Sequence, residues 1–261
     1  AEAGCIGLTV GMESGNRDIL RSIRKPGTVE NFLRAGEVLN KIEQINARVF
    51  LMIGFPNETF AQIKDTIDVS TTMNLDWYNI TILQPLPNTV IFDQMLSDGL
   101  IGDISFSDMG YNSGTHGKKV NKSGASRDPL SVDFKNAFSD KKLNQIPNKN
   151  DLDNVWAYMN YHLNFKRLFQ EIRETKLNQQ YNYVRNIADL VAPNNAFAIY
   201  FSAFLHHRLY NEVDYKLLDQ FSKTISRNNY WKKRCDEFGL SVEHIKSSDY
   251  PMIDSYLSVN N

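Results

Sequence analysis

The chain has 261 residues, of which 42% are hydrophobic, and its formal net charge is −1. This composition is typical of a globular protein with one large core or two smaller ones. The balanced charge excludes a strongly basic nucleic-acid-binding chain. The longest apolar run, AFAIYFSAFL at residues 196–205, is about half of the roughly 18 residues that a membrane span needs. It therefore predicts a buried helix, and we expect no membrane association.

Cysteine usage and the first residues give two further expectations. Cys5 and Cys235 are too far apart to form a CxxC metal-binding pair, and a single disulfide would be unusual for this composition. A reduced, cytoplasmic location is therefore expected. The stretch AEAGC is typical of the last turn of a helix that ends at Gly4. We accordingly expect the chain to begin inside a domain.

Residues 6 to about 95 alternate between short apolar runs and helical patterns. Strands are predicted at IGLTVGME, RVFLMIGF and DWYNITILQPL. Helices are predicted at NRDILRSI, TVENFLRAGEVLNKIEQIN and ETFAQIKDTIDVSTTMN, the second of which begins at Thr28. Alternating strands and helices predict parallel βα units, which place functional residues at the carboxyl ends of the strands.

The rest of the chain divides into a polar stretch and a helical region. GYNSGTHGKKVNKSGASRDP, within residues 101–150, predicts a loop or linker, because it lacks the full GxxxxGK[ST] spacing of a phosphate-binding loop. Residues 151–261 predict a helical carboxyl-terminal domain. Its first helix is indicated by apolar and aromatic residues at helical spacing: Val155, Tyr158, Met159, His162, Phe165, Leu168, Phe169 and Ile172.

Few polar side chains of the helical region suggest a site. A lone histidine in an aromatic helix, such as His162, is usually packed or at the surface. His206 and His207 are adjacent on a helix and point in different directions, so they are poorly placed to share a metal. We assign these histidines no role, and we interpret the aromatic residues between 156 and 169 as core rather than as a substrate-stacking surface.

Three motifs follow the predicted strands. GMESG at residues 11–15 places Glu13 and Ser14 at the carboxyl end of the first strand, although a turn with a helix cap explains it equally simply. GFPNET follows the second strand, where Gly54 permits close approach of a planar ligand. Glu58 is expected to cap the next helix, whose free amides favour a carboxylate. QPLPNT follows the third strand and alone indicates a loop.

The order and spacing of these motifs resemble the second half of the radical S-adenosylmethionine (SAM) core domain. The resemblance covers roughly residues 1–100 and is closest to the group that often carries a cobalamin-binding (B12-binding) domain. The family motifs are GxESG, a lysine and a threonine shortly after it, GxPxET and PxPGT. The matching positions are Gly11, Glu13, Ser14, Gly15, Lys25, Thr28, Gly54, Pro56, Glu58, Thr59, Pro85, Pro87 and Thr89. Asn88 replaces the family's last glycine, a mild departure, because asparagine tolerates left-handed backbone.

The resemblance implies a fold and a set of ligand contacts. The fold is α/β: the second half of a partial (β/α)6 TIM-like barrel with parallel strands four to six, followed by the helical region. SAM would lie across the carboxyl ends of the strands. Glu13 and Ser14 would lie near its ribose and methionine moiety. The backbone of Met52, Ile53 and Gly54 would lie against its adenine. Lys25 either neutralises the SAM carboxylate or is a surface lysine.

The resemblance also implies cofactors that this sequence does not fully provide. Family members bind a [4Fe-4S] cluster through a CxxxCxxC loop and reductively cleave SAM to methionine and a 5′-deoxyadenosyl radical. The chain contains no such loop, and Cys5 is expected to be a small, buried side chain. We therefore expect the carboxyl-terminal fragment of a longer enzyme, inactive alone, with its cluster ligands elsewhere. A reductant such as flavodoxin or ferredoxin is implied as partner, and cobalamin for some members.

Two other interpretations remain open. The chain could be a cluster-free barrel remnant that serves as a binding or scaffold module. It could also be a metal-independent TIM-barrel lyase, which requires phosphate-binding or acid–base residues at the strand ends. Only Glu13 and Glu58 are available for that chemistry, and no histidine lies among these strands. The substrate, a small molecule or a peptide, is not indicated by the sequence.

Overall fold

The computed structural model describes residues 1–99 and 138–247. Its first part contains three strands, β1 (Gly7–Glu13), β2 (Asn46–Ile53) and β3 (Trp77–Ile82). The helices between and after them are α1 (Arg17–Ser22), α2 (Val29–Leu39), α3 (Phe60–Met73) and α4 (Val90–Ser97). The predicted alternation is confirmed, and the fold is α/β.

The three strands form a parallel sheet in the order β1-β2-β3. On the central strand, every second residue is buried beneath the helices: Ala47, Val49, Leu51 and Ile53. The alternate residues face the other side of the sheet, where Phe50 is 47% exposed. Side chains alternate because successive residues of a strand point to opposite faces. The six-strand barrel count of the sequence analysis remains a prediction, since three strands are described.

The second part is helical. Its α-helices are α5 (Lys149–Asn160), α6 (Glu174–Asn186), α7 (Ala196–Tyr210), α8 (Tyr215–Arg227), α9 (Asn229–Glu237) and α10 (Val242–Ser247). The predicted buried helix is α7, whose first ten residues are all buried. Asn195 caps it, as its side chain accepts a hydrogen bond from the Ala198 amide. Within the described ranges, every helix is too short or too polar to cross a membrane.

The first predicted helix of this region is not continuous. After α5 the chain forms a π-helical segment (Tyr161–Phe165) and a 3₁₀ segment (Lys166–Phe169). Tyr158, Met159, Phe165 and Leu168 are buried, which confirms the interpretation of this stretch as core. Ile172 was wrongly included in the buried pattern, because it lies beyond the helix and is 78% exposed.

The helical region attaches to the sheet along β3. Trp156 of α5 donates from Nε1 to the Ile80 carbonyl at 2.8 Å. Asn164 of the π-helical segment accepts from the Tyr78 amide at 2.7 Å and donates to the Tyr78 carbonyl at 2.9 Å. The Asn164 carboxamide therefore makes the two backbone hydrogen bonds to Tyr78 that a neighbouring strand would make. The sheet cannot be extended past β3 at this point.

A buried ion pair fixes the amino end of β3 to the same region. Lys176 of α6 donates to Asp76 Oδ2 and to the Ile45 carbonyl, each at 2.7 Å. Asp76 also accepts from the Ala47 amide and from Gln180. Because both ions are almost fully buried, their hydrogen bonds are needed to offset the loss of hydration.

Three expectations of the sequence analysis are corrected or narrowed here. Residues 1–4 form a turn rather than the end of a helix, with Gly4 donating to the Ala1 carbonyl. Helix α2 ends at Leu39, well before the predicted limit. The linker predicted at 101–150 lies partly outside the described residues, and its last part, from 138, consists of turns that lead into α5.

Candidate functional site

The carboxyl end of β1 carries an ion pair. Glu13 has a left-handed backbone with φ of 68°, and the pairing of β1 with β2 shifts register between Gly11 and Glu13. This bulge re-aims the strand end, as such irregularities often do beside functional sites. Lys25 Nζ lies 3.2 Å from Glu13 Oε1, and about a quarter of each side chain is exposed. Lys25 is therefore held at the strand end rather than free at the surface.

Ser14 and Gly15 fasten the end of β1 to α3. Ser14 is fully buried, and its Oγ lies 3.1 Å from Thr66 Oγ1. The Gly15 amide donates to the same Thr66 hydroxyl at 2.9 Å. A methyl group at position 15 would lie 2.7 Å from Thr66 Cα, so only glycine permits this approach. The Ser14 hydroxyl is thus engaged inside the protein, and its predicted contact with SAM stays a prediction.

The end of β2 forms a tight turn around a buried carboxyl group. Gly54 has φ of 84°, a left-handed conformation that glycine adopts without strain. Glu58 Oε2 accepts hydrogen bonds from the amides of Gly54 at 2.6 Å and Phe55 at 3.2 Å. Its Oε1 is buried without a hydrogen-bond partner among the described residues. Burial raises the pKa of Glu58 to about 7, against the opposing effect of the two amides.

The expected role of Glu58 at the next helix is wrong. Helix α3 is capped by Thr59, which exchanges hydrogen bonds with Gln62 in a capping box. Two amides of its first turn donate to backbone carbonyls of the segment that leads into α5, Phe60 to Gln145 and Ala61 to Leu143. Glu58 instead turns back onto the strand exit, because the turn leaves two unpaired amides within its reach.

The remaining motif residues lie around these two strand ends. Ile53 is fully buried beneath the helices, and Met52 is partly buried on the other face of β2. The register pairs Ile53 with Ile82 of β3. After β3, Asn88 adopts φ of 66°, a left-handed conformation. Thr89 then caps α4 by accepting from the Phe92 amide.

The cysteines and histidines form no metal site in the part of the chain that the structure describes. Cys5 is exposed, contrary to the expectation of a buried side chain, because nothing described covers the start of β1. Cys235 is buried, and burial raises the pKa of its thiol. Across residues 1–99 and 138–247, no three His, Cys, Asp or Glu side chains are grouped to hold a metal ion. These residues do not fit a [4Fe-4S] cluster.

The histidines serve packing within the helical region. His162 stacks on Tyr158 at 5.5 Å, and burial lowers its pKa to about 4. His206 Nδ1 lies 3.2 Å from the Tyr181 hydroxyl. Neither His162 nor His206 lies at the strand ends.

The structure thus brings some predicted residues together and separates others. Glu13 and Lys25 are in direct contact, and the register places Glu13 opposite Leu51 on the neighbouring strand, which ends just before Gly54. Ser14 faces α3 instead. Sequence reasoning missed Leu152 of α5: a methyl group built on Gly54 would lie 2.9 Å from Leu152 Cδ1. No local signal links these positions, which are joined only by the packing of α5 on the sheet.

Comparisons with known proteins agree with this geometry. Residues 1–69 match the family model of the radical SAM superfamily. An uncharacterized methyltransferase of Pyrococcus horikoshii is 29% identical over 100 residues, a stretch that covers 38% of this chain and 22% of that protein. The match therefore spans about a fifth of the relative's length. No solved structure is significantly similar to the chain. The matched residues comprise β1, α1, α2, β2 and the first part of α3, and they carry GMESG and GFPNET.

Proposed function

We propose that this chain provides the nucleoside- and carboxylate-binding part of a radical SAM enzyme. The observation that carries the proposal is the convergence, at one edge of a parallel sheet, of the Glu13–Lys25 pair and the Gly54–Glu58 turn. Parallel α/β sheets bind ligands at the carboxyl ends of their strands. The matching motifs of the radical SAM superfamily lie at the same edge.

The charges of the site suit the amino-acid end of SAM. Lys25 presents an ammonium group that can pair with a carboxylate, and Glu13 presents a carboxylate that can accept from an ammonium or a hydroxyl group. Each side chain is partly exposed and thus accessible to a ligand. At the neighbouring strand, Gly54 offers backbone without a side chain. When bound, SAM would supply the sulfonium group whose reductive cleavage defines this enzyme class.

The cluster that would supply the electron has no ligands in this chain. Cys5 and Cys235 are its only cysteines and CxxxCxxC is absent, so no step is assigned to the cluster here. We propose that the ligands belong to a preceding segment, whose last strand would pair with the open side of β1. Leu8 on this strand is 41% exposed and Ile6 just before it is 81% exposed, which supports a missing neighbour.

The reaction class is proposed from the relative's name alone. Among methylation, ring formation and other radical rearrangements, the name of the Pyrococcus horikoshii protein favours methyl transfer. Cobalamin, bound by a separate domain, and a reductant such as flavodoxin or ferredoxin are part of the same proposal. The substrate is a small molecule or a peptide.

Binding of SAM and of adenosine to this chain, measured by isothermal titration calorimetry, tests the central claim. Lys25→Gln should weaken SAM binding about tenfold or more, since a hydrogen bond to a charged group contributes about 1.5 to 3 kcal/mol. It should leave adenosine binding unchanged, because adenosine has no carboxylate. Lys64→Gln, which removes a comparable pair with Asp68 on α3, is the matched control and should change neither affinity.

The outcome separates the two leading functions. Equal loss of SAM and adenosine binding in Lys25→Gln would contradict the assignment of Lys25 to the carboxylate. Absence of binding by the unmodified chain would instead favour a cluster-free binding or scaffold module. Sequencing the gene upstream of the Ala1 codon is a second, independent test, because a CxxxCxxC motif after a predicted strand is expected there.

A further inference from the structure

Leu152 occupies the face of Gly54 that has no side chain. A methyl group built on Gly54 would lie 2.9 Å from Leu152 Cδ1 and 3.6 Å from Ile82 Cγ2. The first distance is shorter than any ordinary carbon–carbon contact. The Leu152 methyl group therefore packs directly against the Gly54 backbone, and the space that the missing side chain leaves is already filled from the helical region.

The position of Leu152 is fixed by the helix that carries it. Trp156 lies one turn further along α5, on the same side as Leu152, and its indole is anchored to the Ile80 carbonyl. Val155 between them is fully buried. Because this anchor restrains the helix, Leu152 is expected to leave Gly54 by a change of side-chain rotamer rather than by displacement of α5.

The segment before α5 is restrained at the same turn. The amides of Phe60 and Ala61, which directly follow the Gly54–Thr59 turn, donate to Gln145 at 3.1 Å and Leu143 at 2.8 Å. Asn148 and Asp151 bond to each other's amides at the start of α5. The backbone is therefore anchored both before and after Leu152. A ligand at Gly54 must compete with the Leu152 side chain.

We propose that Leu152 controls access of the nucleobase to Gly54 and so determines affinity for the nucleoside. The inference rests on the proposed function, which places adenine against this backbone. With Leu152 in contact, the Gly54 face is closed. When its side chain turns away, an apolar slot opens between Gly54 and Ile82, a shape suited to a flat aromatic base. The helical region thereby regulates a site built on the sheet.

We call this control of access by the Leu152 side chain the gate, and it lowers the apparent affinity of the ligand. A ligand that binds only the open arrangement has its apparent affinity reduced by the fraction of molecules that are open. If that fraction is about a tenth, removing the Leu152 side chain tightens binding about tenfold. The opposite result is expected if Leu152 forms a wall of the pocket, because its loss would then remove a contact to the base.

Calorimetric titration of adenosine and SAM into the unmodified chain, Leu152→Ala and Leu209→Ala distinguishes these cases. Leu209 is a partly buried leucine of α7 with no place at the sheet edge, and serves as the matched control. We expect Leu152→Ala to bind adenosine and SAM about tenfold more tightly, and Leu209→Ala to bind as the unmodified chain does. Unchanged or weaker binding by Leu152→Ala would overturn the gate.

A second variant covers the case in which Leu152→Ala does not fold. Leu152→Phe keeps the apolar contact but enlarges the blocking group, and should weaken adenosine binding at least severalfold. Equal or tighter binding by Leu152→Phe would overturn the inference. If the unmodified chain and every folded variant fail to bind either probe, the proposed function fails and the gate fails with it. If the unmodified chain binds and Leu152 variants do not differ from it, the gate alone fails.

Discussion

The two outer strands of the sheet, β1 and β3, differ in what covers their outer edges. On β3, the side chains of Asn164 and Trp156 bond to the backbone of Tyr78 and Ile80. On β1, no strand within residues 1–99 and 138–247 pairs with the outer side, and Ile6 and Leu8 remain exposed. Among the described residues, the helical region therefore terminates the sheet at β3 and not at β1. The β1 side exposes apolar side chains beside an edge that no described strand pairs with.

The strongest test of the β3 side is removal of its buried cation. Lys176→Met leaves Asp76 charged and almost fully buried, with Ala47 and Gln180 as remaining partners. We expect a loss of about 3 to 5 kcal/mol in the free energy of unfolding, measured by urea denaturation. Lys64→Met, at a more exposed pair, should cost below about 1 kcal/mol. If Lys176→Met lost as little free energy of unfolding as Lys64→Met, the Asp76–Lys176 pair would contribute little to the stability of the protein.

The central strand, β2, lies between the two edges. Glu58, in the turn after it, tests whether a buried charged group at this strand has as large an effect on stability as the Asp76–Lys176 pair at β3. Burial raises the pKa of Glu58 from 4.5 to about 7 in the folded protein. Between these values the folded state retains a proton that the unfolded state has lost. Stability should therefore fall by about 3 kcal/mol as pH rises from 4.5 to 7, and level off above that.

Glu58→Gln cannot titrate, and it isolates this effect. Between pH 4.5 and 7 its free energy of unfolding should decrease less than that of the unmodified protein, because the Glu58 contribution is missing. Denaturation of both proteins across this range measures the difference between their slopes. Parallel curves would mean that Glu58 is already ionised in the folded protein at low pH.

A smaller loss is expected at Asn164. Asn164→Leu removes both hydrogen bonds to Tyr78 and leaves a buried amide and a buried carbonyl without those partners. The expected destabilisation is about 2 kcal/mol. Faster hydrogen exchange of the Tyr78 amide should accompany it. Asn178→Leu, which removes an exposed hydrogen bond of α6, is the control and should change stability by less than about 0.5 kcal/mol. An unchanged Tyr78 exchange rate would contradict the strand-like role of Asn164.

The smallest effect is predicted at the open edge. Leu8→Lys on β1 should alter the free energy of unfolding by less than about 0.5 kcal/mol, because the side chain is 41% exposed. Ile80→Lys on β3, where the residue is fully buried, should prevent folding or cost several kcal/mol. Light scattering should also show less self-association in Leu8→Lys, since charge blocks edge pairing. Comparable destabilisation by both variants would contradict the difference between the edges.

The sequence predicts the sheet well because its information is local. β-branched runs mark the three strands, Thr28 caps α2, and Asn195 caps α7. Asn88 also adopts a left-handed backbone, which asparagine tolerates. Each of these features depends on residues within a few positions of one another, so pattern and propensity suffice.

The parts that sequence analysis missed depend on distant packing. Asp76 and Lys176 pair across 100 positions, and Leu152 reaches Gly54 only because α5 is anchored on β3. Cys5 is exposed just before β1, where no described residue covers it, and no short pattern reveals this. Glu58 was assigned to the wrong amides for a different reason. The amides of Gly54 and Phe55 and those of the first turn of α3 are both near Glu58 in sequence, and the turn geometry decides between them.

The π-helical segment Tyr161–Phe165 has a consequence for how this protein can change over evolutionary time. Each residue of an α-helix advances by about 100° around the axis, so deleting one residue of α5 after Trp156 would turn the following segment, with Asn164, away from β3. Substitutions can be absorbed by neighbouring side chains, but a deletion cannot. Among descendants of this sequence, we therefore expect the spacing between Trp156 and Asn164 to be kept even where the residues around them differ.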